Sequence, residues 1–300
     1  MMKPNLFILG APKCGTTALA KWLSAHPQVF VSPVKEPHYF CEEYRLTPSL
    51  ERYEALFKGA DPGRHSWACE ASVWHLFSDT AVPNILAYAP DARFVVMVRN
   101  PLEMAPSMHE QQRFNGNELV TDFALALALN EARCHGEHAG MRPEYLRPEH
   151  LAYLRSCALG WQLQRLLARV SPDRIHVIVH DDMKRDPAAT YACLLDFLGV
   201  EHVMPTAFER VNAAKQRKSF LFDALVLRLS ALKRRVGITR RLNLLRRLRR
   251  WNVTYRERDA QAAEVQASLR AAYAEDVILL ESLLERDLSH WLSVGEDASS

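Results

Sequence analysis

The chain has 300 residues, 48% of them hydrophobic, enough to bury a sizeable core as one large domain or two small ones. Lys+Arg 38 against Asp+Glu 35 leaves a formal charge of only +3, too mild to mark a nucleic-acid binder. No stretch approaches ~18 uninterrupted apolar residues, so no transmembrane helix is expected, and no leader pattern precedes the first apolar run.

Residues 5–10 read as a short buried strand, followed by a helix from Thr16 to Ala25. "PQVFVS" is a second apolar run, broken by "PVKEP". "HSWACE" (65–70) and "RFVVMVR" (93–99) read as further strands, with a helix over "DTAVPNILAYAP" between them. Helical patterns fill 101–112, 119–136 and 148–169. "RIHVIVH" (174–180) is another strand, and "DPAATYACLLDFLGV" a helix with Gly199 as its C-cap. Short apolar runs bounded by turn residues and alternating with helices predict an α/β fold around a central parallel sheet. Beyond residue 218 the strand signals stop and the chain reads as helical. The expectation is one domain, with an α/β nucleotide-binding core over 1–218 and a helical C-terminal extension over 219–300.

The six cysteines, Cys14, Cys41, Cys69, Cys134, Cys157 and Cys193, are scattered without CxxC pairing. Reduced thiols in a cytoplasmic protein are therefore expected, and no metal. His135 and His138 stand at i, i+3 with no third ligand and read as surface residues.

The stretch "NLFILGAPKCGTTALAKWL" (5–23) runs strand, glycine-bearing loop, helix. Such a loop offers backbone N–H groups and a helix N-terminus to an anion. Gly10 and Gly15 keep the five-residue interval of a GxxxxGK[ST] loop, but Thr16 stands where the triphosphatase lysine would be, and Lys13 projects from the loop itself. No acidic residue at a strand end presents itself as a magnesium ligand. The pattern suits a tetrahedral anion whose transfer needs no metal, with the amides from Cys14 through Gly15 and Thr16 to Thr17 and both threonine hydroxyls as donors.

"APKCGTTAL" resembles the 5′-phosphosulfate loop of the sulfotransferases that use 3′-phosphoadenosine 5′-phosphosulfate (PAPS), particularly their heparan-sulfate and bacterial branch. "SPVKEPHYF" looks like that branch's catalytic segment, "VRNPLEMAPSMHE" like its 3′-phosphate motif, and "DVILLESLLERDLSHWL" like a C-terminal ending of bacterial members. The resemblance implies PAPS as the sulfuryl donor, a P-loop-like α/β fold, and the following roles. Lys13 stands beside the bridging oxygen of the leaving phosphate, where a fixed positive charge stabilises the developing anion. Arg99 and Ser107, eight residues apart, hold the 3′-phosphate. Family members often carry an arginine five residues after the first of this pair; here it is Met104.

Glu36 is the candidate general base toward a hydroxyl or amine. His38 is its rival, because the small-molecule branch uses a histidine. Lys35 either pairs with Glu36 or touches the sulfate. "NAAKQRKSF" falls where the family closes a late loop over the nucleotide, giving Asn212, Arg217 and Lys218 as contacts. "CEASVW" resembles a second substrate-side segment, giving Glu70 and Ser72.

Charge is concentrated between Arg228 and Arg258, where twelve basic residues face one acid, Glu257, for a net +11 that leaves −8 on the rest. In "ITRRLNLLRRLRRW" apolar residues recur at helical intervals opposite arginines. A helix packed on the body, an attraction for an anionic acceptor and peripheral contact with anionic lipid all fit. Nucleic acid does not, because no recognised binding module accompanies the charge. The acceptor's class stays open between small molecule, carbohydrate and lipid, as does the oligomeric state. The competing functions are a P-loop kinase or hydrolase, and a nucleotide-binding protein of the same fold without catalysis.

Overall fold

A computed structural model describes residues 2–208 and 261–293 in full and the backbone of 215–217 and 253–255. Five strands form one sheet: β1 (Leu6–Gly10), β2 (Val29–Val31), β3 (Trp67–Ala71), β4 (Arg93–Val98) and β5 (Ile175–Val179), in the order β2-β3-β1-β4-β5. Every pairing is parallel, with Leu6 opposite Cys69 on one side and Arg93 on the other. The central strand, "LFILG", is buried along its whole length. This is why it lacks the polar alternation of a half-exposed strand: helices cover both faces. Each such Leu, Ile or Phe contributes on the order of 1.5–3 kcal/mol by burial.

Because all strands point the same way, the loops leaving their C-terminal ends share one edge of the sheet. In open α/β sheets ligands bind at this edge, where connections leave a central strand in opposite directions. Here β1 is that strand, with β3 and β4 on its two sides. Helix α1 (Thr16–Ser24) follows β1 directly, and the helix Pro101–Asn115 follows β4 with Asn100 as its cap, the side chain accepting from Leu102 N at 2.9 Å. The expected helix at 187–198 is present, closed by Gly199 at φ 65.

Three expectations change. The patterns over 119–136 and 148–169 are not continuous helices: the first is divided into Phe123–Ala128 and Asn130–Cys134, the second into short turns before Leu159–Leu167. The cause is tertiary. Asp276, from the C-terminal helix Ala263–Leu284, accepts from Gly160 N at 3.0 Å and Trp161 N at 2.8 Å, supplying the cap at which that helix restarts. Strand signals do not stop at 218 either: β7 (Val253–Tyr255) pairs antiparallel with β6 (Lys215–Arg217). A short helix not foreseen, Leu50–Glu54, starts at Ser49, whose hydroxyl accepts from Arg52 N at 3.3 Å. It delivers Tyr53 to the core. The rest of the basic stretch 228–258 lies outside the described residues.

Arg133 is wholly buried and is held by Glu118 at 2.8 Å, with its other donors on the carbonyls of Ala139 and Leu151 at 3.1 and 3.0 Å. Tyr153 OH donates to the same Glu118 carboxylate at 2.9 Å. A buried pair is costly to break because the surviving charge is stranded. Arg133→Ala should therefore lose about 3–5 kcal/mol in urea unfolding. The double replacement Arg133→Met with Glu118→Leu, which removes both charges, should lose much less.

Candidate functional site

The loop between β1 and α1 is shaped by two glycines. A Cβ on Gly10, at φ 147, would stand 2.6 Å from the Val73 carbonyl oxygen. Only glycine lets β1 end so close to the turn after β3. Gly15, at φ 96, is the N-cap of α1, and its face meets Met183, Met97 and His180. Helix α1 has no side-chain cap and no acidic residue in its first turn. Its leading amides stand at the positive end of the helix, where an anion is favoured.

Cys14 does not face the ligand side. It is fully buried beneath the loop, with Sγ 3.8 Å from Met104 Sδ, and burial pushes its thiol up to about 12 despite the nearby Arg99 and Lys13 charges. Of the loop residues expected to contact an anion, Cys14 can therefore contribute only its backbone. Met104 is likewise fully buried. Where family members often have arginine, this chain has a methionine filling the core under the loop.

Lys13, at φ 65, donates to Gln111 Oε1 at 3.2 Å. Arg99, leaving the end of β4, donates from Nη1 to the Lys13 carbonyl at 3.0 Å and from Nε and Nη2 to Glu103 at 3.1 and 2.6 Å. Glu103, Ser107 and Gln111 follow at four-residue steps, so they line one face of the helix Pro101–Asn115. Arg99 meets the first of them and Lys13 the last, which leaves the buried Ser107 between the two cations. Sequence reading missed Gln111 and Glu103, although the four-residue spacing around Ser107 was there to be read. It also missed His180 at the end of β5. Burial, then the Arg99 and Lys184 charges, hold that imidazole down near 4 and so neutral.

On the other side of β1 the turn after β2 carries Glu36. Its N donates to the Ala71 carbonyl at 2.9 Å, and its carboxylate accepts from Val73 N at 2.9 Å, lies 3.1 Å from His38 Nε2 and pairs with Lys35. Glu36 and His38 both sit at positive φ, 63 and 45, a backbone that non-glycine residues rarely adopt. Burial pushes the Glu36 carboxyl upward, but the His38 hydrogen bond and the Lys35 charge outweigh it and hold it at about 2. The Glu36 side chain is 28% exposed and that of His38 only 3%. Of the two rivals, then, Glu36 can be reached from outside, and His38 backs it.

Ser72 is buried, its hydroxyl accepting from His38 N at 3.2 Å. Glu70 is also buried, accepting from Tyr53 OH at 2.7 Å with His75 Nδ1 at 3.6 Å, and burial raises it to about 7. These two lie under the site rather than on its surface. A cleft of about 320 Å³ opens beside Lys35, between α1 and the segment after β2. Asn212 and Lys218 lie outside the described residues; Arg217 ends β6, described there as backbone.

Residues 3–221 match the family model described as "Sulfotransferase domain". The chain belongs to that family. Among curated sulfotransferase relatives it is similar to human bifunctional heparan sulfate N-deacetylase/N-sulfotransferase 2, 23% identical over 201 residues, covering 66% of this chain and 22% of that protein. It is also similar to human carbohydrate sulfotransferase 15, 29% identical over 143 residues, covering 33% of this chain and 26% of that one. The chain thus spans only about a quarter of these relatives' length. The crystal structure of a sulfotransferase from Alicyclobacillus acidocaldarius superposes with TM-score 0.72 at 23% identity, covering 98% of this chain and all of that one, and shows the shared fold.

The Glu36 arrangement has a consequence for stability. A carboxyl held at about 2 in the folded chain, against 4.5 normally, favours folding above pH 4.5 and loses that contribution as pH falls toward 2. The difference in unfolding free energy between the parent chain and Glu36→Gln should shrink across that window, as measured by urea titrations at stepped pH.

Proposed function

We propose that the chain transfers a sulfuryl group from PAPS to a hydroxyl or amine, with Glu36 as the general base. The observation that carries this is the division of the site by β1. Lys13, Arg99 and Ser107 gather on the β4 side of the loop, while Glu36 stands on the β3 side, tied through Val73 to the carbonyl that touches Gly10. Anion-binding groups on one side of a reacting centre and a base on the other is the layout an in-line displacement requires.

PAPS would supply an activated sulfuryl group whose leaving phosphate already carries charge. The loop amides and Thr16 and Thr17 would hold its 5′ end, Lys13 would place a cation where negative charge grows, and Arg99 with Ser107 would hold its 3′-phosphate. The acceptor's oxygen or nitrogen gives its proton to Glu36 as its bond to sulfur forms and the bond from sulfur to the leaving phosphate breaks. A carboxylate near 2 is a weak base. It serves when the proton moves late, once the bond to sulfur has made the acceptor acidic. The His38 hydrogen bond and the Lys35 charge together set that weakness.

Glu36→Gln should lower turnover about 10²–10⁴-fold while leaving the affinity for 3′-phosphoadenosine 5′-phosphate (PAP) within about twofold. Release of PAP with a panel of hydroxylated acceptors, beside calorimetry with PAP and with ATP–magnesium, checks both; binding of the triphosphate alone would overturn the reading. Lys35→Met removes a charge that favours the carboxylate, so Glu36 titrates higher and the acid limb of the kcat/KM profile should move to higher pH.

A further inference from the structure

Resting on that reading, we propose that Glu70 is a positioning residue for the base: acting through His75, it fixes the His38 ring with its Nε2–H toward Glu36. Four buried polar atoms carry this. Among the described residues, His38 Nδ1, both His75 ring nitrogens and Glu70 Oε1 are sealed from solvent without a hydrogen-bond partner. Polar groups left alone in a core are costly, so a cluster of them points to a shared use. These four are neighbours. His75 Nδ1 lies 3.6 Å from Glu70 Oε1, and the His75 ring meets the His38 ring edge to face with centroids 5.7 Å apart. His38 Nε2 in turn lies 3.1 Å from Glu36 Oε2.

One arrangement of protons uses all four atoms. Glu70, as the neutral acid, donates from Oε1 to His75 Nδ1, and a slight turn of the His75 ring brings that contact to hydrogen-bond length. His75 donates from Nε2 to His38 Nδ1, and His38 donates from Nε2 to Glu36. Each neutral imidazole carries one proton, and the neighbour decides which nitrogen holds it. The other His38 tautomer would set a lone pair against the Glu36 carboxylate. Glu36 Oε2 also accepts from Val73 N, while Oε1 pairs with Lys35. The array thus holds Oε2 from behind and leaves Oε1 to take the acceptor's proton; no proton crosses it.

The surroundings suit these states. Glu70 faces Tyr53 from the helix Leu50–Glu54, Ser72 and His75 from the turn after β3, and Glu36 from the segment after β2; Cys69 adjoins it on β3. Burial chiefly raises its carboxyl to about 7, with the Glu36 charge adding to the rise and the Ser72 and Tyr53 hydroxyls opposing it. Burial and then His38 hold His75 down at about 3, against the pull of Glu36 and Glu43, so this ring stays neutral. Once Glu70 ionises it needs a donor instead. His75 then moves its proton to Nδ1, and His38 loses the donor that fixed its tautomer.

Imidazole nitrogen NMR of the full chain, titrated from about pH 5 to about pH 9, reads the tautomers directly. His75 should hold its proton on Nε2 at the acid end and on Nδ1 at the alkaline end. Glu70→Gln, neutral throughout, should abolish that changeover with PAP affinity unchanged. Glu36→Gln should keep it but move it to lower pH, because the charge that raises Glu70 is gone. In PAP release, the parent's kcat/KM should fall about two- to tenfold relative to Glu70→Gln as Glu70 ionises and the base loosens. A His75 tautomer constant across the parent's titration, or one that still changes over in Glu70→Gln, would overturn the positioning role. If Glu70→Gln does not fold, the parent's titration alone decides. The tautomers are read without donor or acceptor, so this outcome is separate from that of sulfuryl transfer.

Discussion

The close approach of Gly10 to the Val73 carbonyl is the constraint from which the site follows. A side chain at Gly10 would overlap that carbonyl at 2.6 Å, so only a bare backbone lets the end of β1 lie against the turn after β3. The turn is fixed in its place by β1 itself: Ser72 N donates to Ile8 O at 3.1 Å and Leu76 N to Leu9 O at 3.0 Å. Val73, caught in this clasp, points its own N–H at Glu36. One backbone contact therefore sets the spacing between the loop after β1 and a carboxylate that are 26 residues apart in the chain, Gly10 to Glu36. Rigid strand ends hold such spacings better than long loops do.

The carboxylates around this clasp are tuned in opposite directions by their surroundings. Glu36 and Glu70 both suffer burial. Glu36 is offered Lys35, His38 and a backbone N–H, so its charged form wins. Glu70 has the Tyr53 hydroxyl and lies within the repulsion of Glu36, so burial wins and its carboxyl titrates near neutrality. An acid that is reachable and charged stands in front of one that is hidden and whose carboxyl burial pushes up. The pair sits around His38 and His75, whose rings meet edge to face at 5.7 Å. Separation of this kind is how two like groups come to have different tasks.

Much of this was legible in the residues. The strand–loop–helix at 5–24, the strands at 67–71, 93–98 and 175–179 and the capped helix at 187–198 announce themselves through apolar runs and punctuation, because a doubly covered parallel sheet leaves an unbroken hydrophobic record. The pairing of Lys35 with Glu36 was one of two readings the sequence allowed, and local sequence could not choose between them. What stayed hidden depends on contacts between distant segments. Asp276 starts a helix that lies 116 residues earlier, and nothing around Gly160 says so. Nor does the sequence show that Cys14 and Met104 both turn inward and pack sulfur against sulfur.

That last contact bears on how Lys13 and Arg99 are held. An arginine in place of Met104 would have to bury its guanidinium beneath the loop or push Cys14 aside, since both positions are sealed from solvent. With methionine there, the loop rests on apolar support, and the cations that remain are both pinned: Arg99 by Glu103 and the Lys13 carbonyl, Lys13 by Gln111. The Arg99 bond to the Lys13 carbonyl matters most. It fastens a residue held at positive φ to the end of β4, so the lysine's direction is set by the sheet rather than by the loop's own flexibility. A charge held in advance costs nothing to orient when an anion arrives. Arg99 and Lys13 are therefore both held in place by the sheet and by the helix Pro101–Asn115.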